Sequence, residues 1–234
     1  MLPVVIRKAA SELVGTAGLV CAVVGSGIAA QRLSPTDVGL QLLENSIATA
    51  CALLALILAL GPISGAHFNP VVTLAEWARR RMRAREVGAF VVAQIVGAVV
   101  GAMLANGMFD HPTLETATRV RSGMGLWLSE GIATAGLLLA IHGTLASNPG
   151  AVPLAVASYI GAAYWFTSST SFANPAVTIA RALSNSFAGI APSSVPGFVL
   201  AQTVGAIVGF LLLALLLPGW ARAGARAVER GPSS

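Results

Sequence analysis

The sequence predicts an all-α membrane protein: six transmembrane helices plus two half-helices, laid out as an inverted 3+3 repeat. Three observations lead there. Hydrophobic residues are 56% of the 234 and charged residues only 10%, with mean hydropathy +0.79, outside the balance of a soluble domain. Six apolar windows recur along the chain. Two Asn-Pro elements, Asn69-Pro70-Val71-Val72-Thr73 and Asn174-Pro175-Ala176-Val177-Thr178, stand 105 residues apart, each opening a stretch too short to cross a bilayer.

Windows 11–30, 44–63, 87–106 and 125–147 are each near 18 residues or longer. The fifth, 152–167, is shorter and runs into a Ser/Thr cluster; the sixth, 197–217, is uninterrupted. At 1.5 Å per residue, about 20 residues cross a hydrocarbon core of roughly 30 Å, so six spans are expected. The first carries Glu12 and reads as a retained helix rather than a signal peptide. In both Asn-Pro elements the Asn suits a helix cap and the Pro suits the first helical position. Half-helices from Asn69 to about residue 78 and from Asn174 to about residue 184 follow, each roughly 15 Å long. Helix ends within the hydrocarbon are costly unless they line a polar cavity, so a pore is the leading expectation.

Net charge of +5 raises nucleic acid as a partner, and the distribution argues against it. Arg7 and Lys8 precede span one, Arg79, Arg80, Arg81, Arg83 and Arg85 follow span two, and Arg222, Arg226 and Arg230 follow span six. With six spans these ten share one face; Arg32, Arg119, Arg121 and Arg181 are left for the other. The positive-inside rule then puts both termini in the cytoplasm of a multi-pass protein, with the lipid bilayer as its main partner. Cys21 and Cys51 fall inside spans and read as small packing residues. No metal or cofactor motif is apparent, and Ser129 and His142 in span four form no recognisable catalytic set, so no enzyme is expected.

The halves echo each other in order. Glu12-Leu13-Val14-Gly15-Thr16 answers Glu130-Gly131-Ile132-Ala133-Thr134, the Asn-Pro elements follow, and Ala93-Gln94-Ile95-Val96-Gly97 answers Ala201-Gln202-Thr203-Val204-Gly205. One domain over 1–234 is expected, with repeats of about 8–106 and 125–217. Three spans per repeat is an odd number, so the second repeat enters from the opposite side. The two half-helices then meet tip to tip near the midplane. Gly97, Gly101, Gly205 and Gly209 follow a small-xxx-small pattern that lets helices approach closely.

The run Ile63-Ser64-Gly65-Ala66-His67-Phe68-Asn69-Pro70-Val71-Val72-Thr73, the second Asn-Pro-Ala and the paired Glu-x-x-x-Thr elements resemble the aquaporin (major intrinsic protein) superfamily over about residues 8–217. That resemblance implies a homotetramer of channels in the inner membrane of a bacterium, each protomer with its own pore. It implies that Glu12 and Glu130 brace the loops carrying the Asn-Pro elements. By family offset, the filter positions fall on Thr49, Ala162 (or Ala163), Ser171 and Val177. Most of the family has Arg where Val177 stands. A filter of small residues without that Arg, a bulky aromatic or His is expected to be wide and unsuited to strict water selectivity. Arg-lacking relatives in bacterial arsenic-resistance systems look similar, which implies small neutral solutes: glycerol-like polyols, arsenous acid, methylated arsenicals and water. The alternative is a secondary transporter, which also uses inverted repeats and broken helices.

Other residues carry physical expectations of their own. Facing helix N-termini place about +0.5 charge each at the centre, which orients water and repels cations. Asn69 and Asn174 offer amide donors to a passing solute. Val71, where Ala is usual, is expected to narrow or dry the centre. His67 has two readings, a pH gate at the cytoplasmic mouth or a static hydrogen-bonding role. Arg181, one helical turn beyond Val177, either lines the outer vestibule or ties down a loop carbonyl or a phosphate.

Overall fold

A computed structural model describes residues 3–217 and Trp220; Arg222, Arg226 and Arg230 lie outside the described residues. The first repeat holds α1 (Val4–Leu33), α2 (Val38–Ser64), the half-helix α3 (Pro70–Ala78) and α4 (Ala84–Met108). The second holds α5 (Met124–Ser147), α6 (Val152–Phe166), the half-helix α7 (Pro175–Arg181) and α8 (Val195–Leu216). No strand occurs among the described residues. Five helices have the length and hydropathy of a membrane span; α6, at 15 residues, is the short one.

Local chemistry sets the boundaries that matter. Asp37 caps α2 by accepting from the Leu40 N–H at 2.9 Å. Gly65 ends it at φ +94°, a left-handed conformation that glycine adopts without penalty. The second half-helix stops at Arg181, about one turn short of the expected end near residue 184. The reason lies in the α4–α5 loop, whose Glu115 and Ala117 N–H groups take the Leu183 and Ala182 carbonyls at 3.1 and 3.0 Å. Carbonyls claimed by a neighbouring strand of chain have no need of a further helical turn.

Packing repeats with the sequence. α1 lies chiefly on α4 and α5 on α8, while α2 meets α6 across the halves. A methyl group at Gly97 or Gly101 would overlap the carbonyl of Leu13 or Ala17. At Gly205 it would overlap the Gly131 carbonyl, and at Gly209 it would stand 2.9 Å from Ala135 Cα. Backbone-to-backbone approach of this kind is what binds helices where apolar burial supplies no drive. The polar interior begins where these two helix pairs enclose the half-helices.

Candidate functional site

Each half-helix is preceded by a loop in an unusual conformation. Ala66 and Phe68 before α3, and Ser171 and Ala173 before α7, all have φ between +46° and +50°. Left-handed backbone costs a non-glycine residue about 1–2 kcal/mol, so something must hold it. Glu12, fully buried, does this in the first repeat. Its Oε1 accepts from Ser64 Oγ at 2.7 Å and the His67 N–H at 3.0 Å; its Oε2 accepts from the Phe68 N–H at 2.7 Å and Gln94 Nε2 at 2.8 Å. Glu130 repeats the pattern, accepting from the Phe172 and Ala173 N–H groups at 2.9 and 2.8 Å and from Gln202 Nε2 at 2.7 Å.

Gln94 and Gln202 extend each carboxylate to the half-helix. Gln94 also donates to Thr73 Oγ1 at 2.9 Å, and Gln202 to Thr178 Oγ1 at 2.8 Å. Each threonine in turn donates to the carbonyl of its own cap, Asn69 at 3.2 Å and Asn174 at 2.8 Å. In the sequence the Ala-Gln pairs stand out as repeat markers, and these glutamines and threonines carry no assigned role there. A buried glutamine in an otherwise apolar helix was the available signal.

The tips meet. Asn69 Oδ1 accepts from the Val71 N–H at 3.1 Å, and Asn174 Oδ1 from the Ala176 and Val177 N–H groups at 3.0 and 3.3 Å. Asn69 Nδ2 donates across to the Ala173 carbonyl and Asn174 Nδ2 to the Phe68 carbonyl, both at 2.8 Å. One amide hydrogen of each Asn thus locks the halves together, and its second hydrogen is left for the cavity that both residues line. Pro70 and Pro175 occupy the first helical positions beside them.

That cavity has a volume of about 280 Å³ and runs past both caps. At one end stand His67, Glu76 and His142; at the other, Thr49, Tyr164, Ser171, Val177 and Arg181. Val72 and Val177, each three residues after its Asn, both line it. Val71 does not: it is buried behind the wall, as is Ala176, so the expectation that Val71 narrows the centre is replaced by Val72. One residue along a helix turns the side chain by about 100°, enough to take 71 off the cavity and bring 72 onto it.

A second correction concerns α6. Ala162 is exposed on the outside of the bundle and Ala163 is fully enclosed away from the cavity. Tyr164, two residues on and about 200° around the helix, lines the cavity instead. Its hydroxyl lies 3.1 Å from Thr49 Oγ1. The set at this end is therefore Thr49, Tyr164, Ser171 and Val177, with an aromatic that the small-residue expectation lacked.

The two mouths hold different polar groups. Glu76 accepts from Arg79 at 2.8 Å and lies 3.4 Å from His142 Nδ1, and the Arg79 guanidinium sits 4.5 Å over the Trp220 ring. Arg79 is buried, so it is more than a topology signal. His67 is 3.0 Å from Thr73 Oγ1 and edge-on to Phe90. Arg181 lines the cavity, and its Nε donates to the Ala188 carbonyl. Arg121, which sequence reasoning counted only as a surface charge, is buried against the carbonyls of Ser169, Phe187 and Gly189. Contacts over more than 60 residues of chain leave no local pattern to find. Cys21 and Cys51 are free thiols.

Comparison with known proteins agrees with this architecture. Residues 3–163 match the family described as Major intrinsic protein. Aquaglyceroporin AqpS of Rhizobium meliloti (strain 1021) is 48% identical over 211 residues, 90% of each chain. Aquaporin Z of Photorhabdus laumondii is 34% identical over 167 residues, 64% of this chain and 71% of its own. The X-ray structure of the aquaglyceroporin from Plasmodium falciparum shares the fold, with a TM-score of 0.69 at 20% identity over 94% of this chain and 99% of that one. The chain belongs to the major intrinsic protein family, multi-pass membrane channels for small solutes.

Proposed function

We propose that this protein is a passive channel for small uncharged solutes: glycerol-like polyols, neutral metalloid hydroxides such as arsenous acid and methylated arsenicals, and water. The observation that carries the reading is Val177 on the cavity wall where most of the family has Arg. A branched aliphatic there removes a fixed charge and the five donors of a guanidinium from the path. The Thr49 and Tyr164 hydroxyls supply a polar rung for a solute's hydroxyls, while Val72 and Val177 supply an apolar surface for its carbon skeleton. The caps Asn69 and Asn174 offer one amide hydrogen each at the centre. A carrier coupled to protons would need a free carboxylate; both oxygens of Glu12 and Glu130 are already taken by loop N–H groups or glutamine, and Glu76 on the cavity wall is paired with Arg79. His67 takes the static role in this reading, bonded to Thr73.

The protein acts as one domain of two inverted repeats, in the inner membrane of a bacterium, with both termini and the Arg-rich α3–α4 loop cytoplasmic. The Glu76 mouth is then the inner one and the Arg181 mouth the outer one. The name of the AqpS relative supports polyol-sized solutes, and a homotetramer follows the family pattern. Uptake of water, glycerol, urea and arsenous acid into vesicles holding the full chain tests the reading. Glycerol and arsenous acid should enter well above the rate of empty vesicles and without dependence on a proton or sodium gradient. Val177→Arg should cut glycerol entry about tenfold or more while sparing water, since a long cation enters the aperture. Equal loss of both solutes, or of neither, refutes the filter assignment.

A further inference from the structure

A route for neutral solutes has no need of the charge gathered at the Arg181 mouth. Arg181 is 2% exposed, and its guanidinium carbon lies 3.3 Å from the centre of the Phe172 ring. Arg121, 5% exposed, lies 5.1 Å from the same ring. Arg119 adds a third guanidinium, bonded to the Phe187 carbonyl at 2.9 Å. Among the described residues none of the three has a carboxylate within 4.0 Å, the only ion pairs being Arg79–Glu76, His111–Glu115 and His142–Glu76. Glu130 is the carboxylate whose field reaches both buried arginines, and its oxygens are already bonded to Phe172, Ala173 and Gln202. Two buried cations and a third nearby thus face one occupied carboxylate. Burying unpaired charge in this way is costly unless a counter-ion arrives.

The donors divide the work. Arg121 spends Nε, Nη1 and Nη2 on the carbonyls of Gly189, Ser169 and Phe187 and so contributes potential rather than contact. Arg181 spends only Nε, on the Ala188 carbonyl. Its two Nη groups have no protein acceptor among the described residues and are not sealed off, and the residue lines the cavity. Ser171 lines the same cavity, 3% exposed, and its hydroxyl is buried without a partner. Phe172 links the two: it follows Ser171 in the chain and holds the Arg181 guanidinium on its ring face. A guanidinium presenting its fork matches a planar oxyanion with two parallel hydrogen bonds, and a neighbouring hydroxyl can add a third.

Resting on the reading of this cavity as the solute path, we propose that Arg181 and Ser171 form a binding site for a small monovalent planar oxyanion at the mouth beyond Val177. Arg121 and Arg119 raise the local anion concentration there. The occupied site stands in the way of neutral solutes and repels cations less than the empty one.

Nitrate is the probe. Glycerol uptake into vesicles holding the full chain is measured with potassium nitrate replacing the potassium salt of a bulky sulfonate at fixed ionic strength. Nitrate should slow uptake saturably, and Arg181→Gln should raise the half-effective nitrate concentration about tenfold, the loss expected for a charged hydrogen bond. Arg181→Lys should fall between, and Ser171→Ala should raise it about threefold. Uptake indifferent to nitrate, or the same half-effective concentration in all four proteins, overturns the site. If Arg181→Gln fails to fold, Arg181→Lys and Ser171→Ala decide alone: unchanged midpoints in both overturn it. Wild-type vesicles no more permeable to glycerol than empty ones would instead sink the channel reading, a separate result.

Discussion

Glu76 and Arg181 hold the same place in the two halves, seven residues after their Asn caps, yet carry opposite charge. The same offset of 105 residues pairs His67 with Phe172. Between these divergent ends, Asn69 and Asn174, Val72 and Val177, and Thr73 and Thr178 are alike, and their Glu and Gln partners make matching bonds. The difference has a physical source. Residues that satisfy the N–H groups of a strained, buried loop have no cheap substitute, because water cannot reach in to replace them. Residues at the mouths find partners outside that frame, and these differ between the halves: Arg79 beside His142 of α5 at one end, the Ala188 carbonyl and Phe172 at the other.

If the shared frame is held as described, removing its carboxylates gives the largest effect. Glu12→Ala strips partners from four donors and Glu130→Ala from three. At about 1–3 kcal/mol per buried unsatisfied group, both variants should lose most of their stability, Glu12→Ala the more. Thermal unfolding in detergent reads this against Leu211→Ala, a 61% exposed position on the outer surface. Parity between Glu130→Ala and that control would break the comparison. Next in size are Gly97→Leu and Gly205→Leu, which drive a side chain into the Leu13 and Gly131 carbonyls. Overpacking of this kind costs about 1–3 kcal/mol or more, and the two should destabilise alike because they sit at equivalent crossings. Retention of wild-type unfolding in either one would show that its helix pair can separate without harm.

The mouths sharpen the contrast. Glu76→Gln should lower stability by about 1–2 kcal/mol, since buried Arg79, which also donates to His142 Nδ1, loses its charged partner. It should leave the nitrate sensitivity of glycerol uptake unchanged, whereas Arg181→Gln shifts it. A nitrate shift in Glu76→Gln as large as that in Arg181→Gln would mean that the field of the whole cavity, not the Arg181 site, sets the response.

How much of this was legible beforehand follows the same division. Asn69, Asn174 and their prolines announce themselves, because cap and first-position preferences are local properties of the chain. Glu12 and Glu130 stand out as carboxylates inside apolar windows. The spans and the inversion follow from hydropathy and an odd span count, and the family and fold bear them out. Ala162 failed because an offset counted along a helix must be right to within one residue to pick the correct face, and Tyr164 is the residue that turns inward. Val71 failed by the same single step. Arg121 was beyond reach because its three acceptors belong to loops joined only by the finished fold.

The smallest expected effect tests the frame at its finest grain. Thr73 Oγ1 receives Gln94, donates to the Asn69 carbonyl and meets His67 Nδ1 at 3.0 Å. Thr178 Oγ1 receives Gln202 and donates to the Asn174 carbonyl, and its half has Phe172 where the other has His67. Replacing either by Val keeps the shape and removes the hydroxyl, so each should cost about 1 kcal/mol per orphaned partner group. Each change takes a donor from its own Asn cap carbonyl and a partner from its glutamine, and Thr73→Val alone also leaves His67 with no hydroxyl. Thr73→Val should therefore unfold at the lower temperature of the two, and combining it with His67→Phe should bring its cost down to that of Thr178→Val. If the combination costs more than Thr73→Val alone, His67 serves the first half by a contact other than its bond to Thr73, with the Phe90 ring the neighbour in place to supply it.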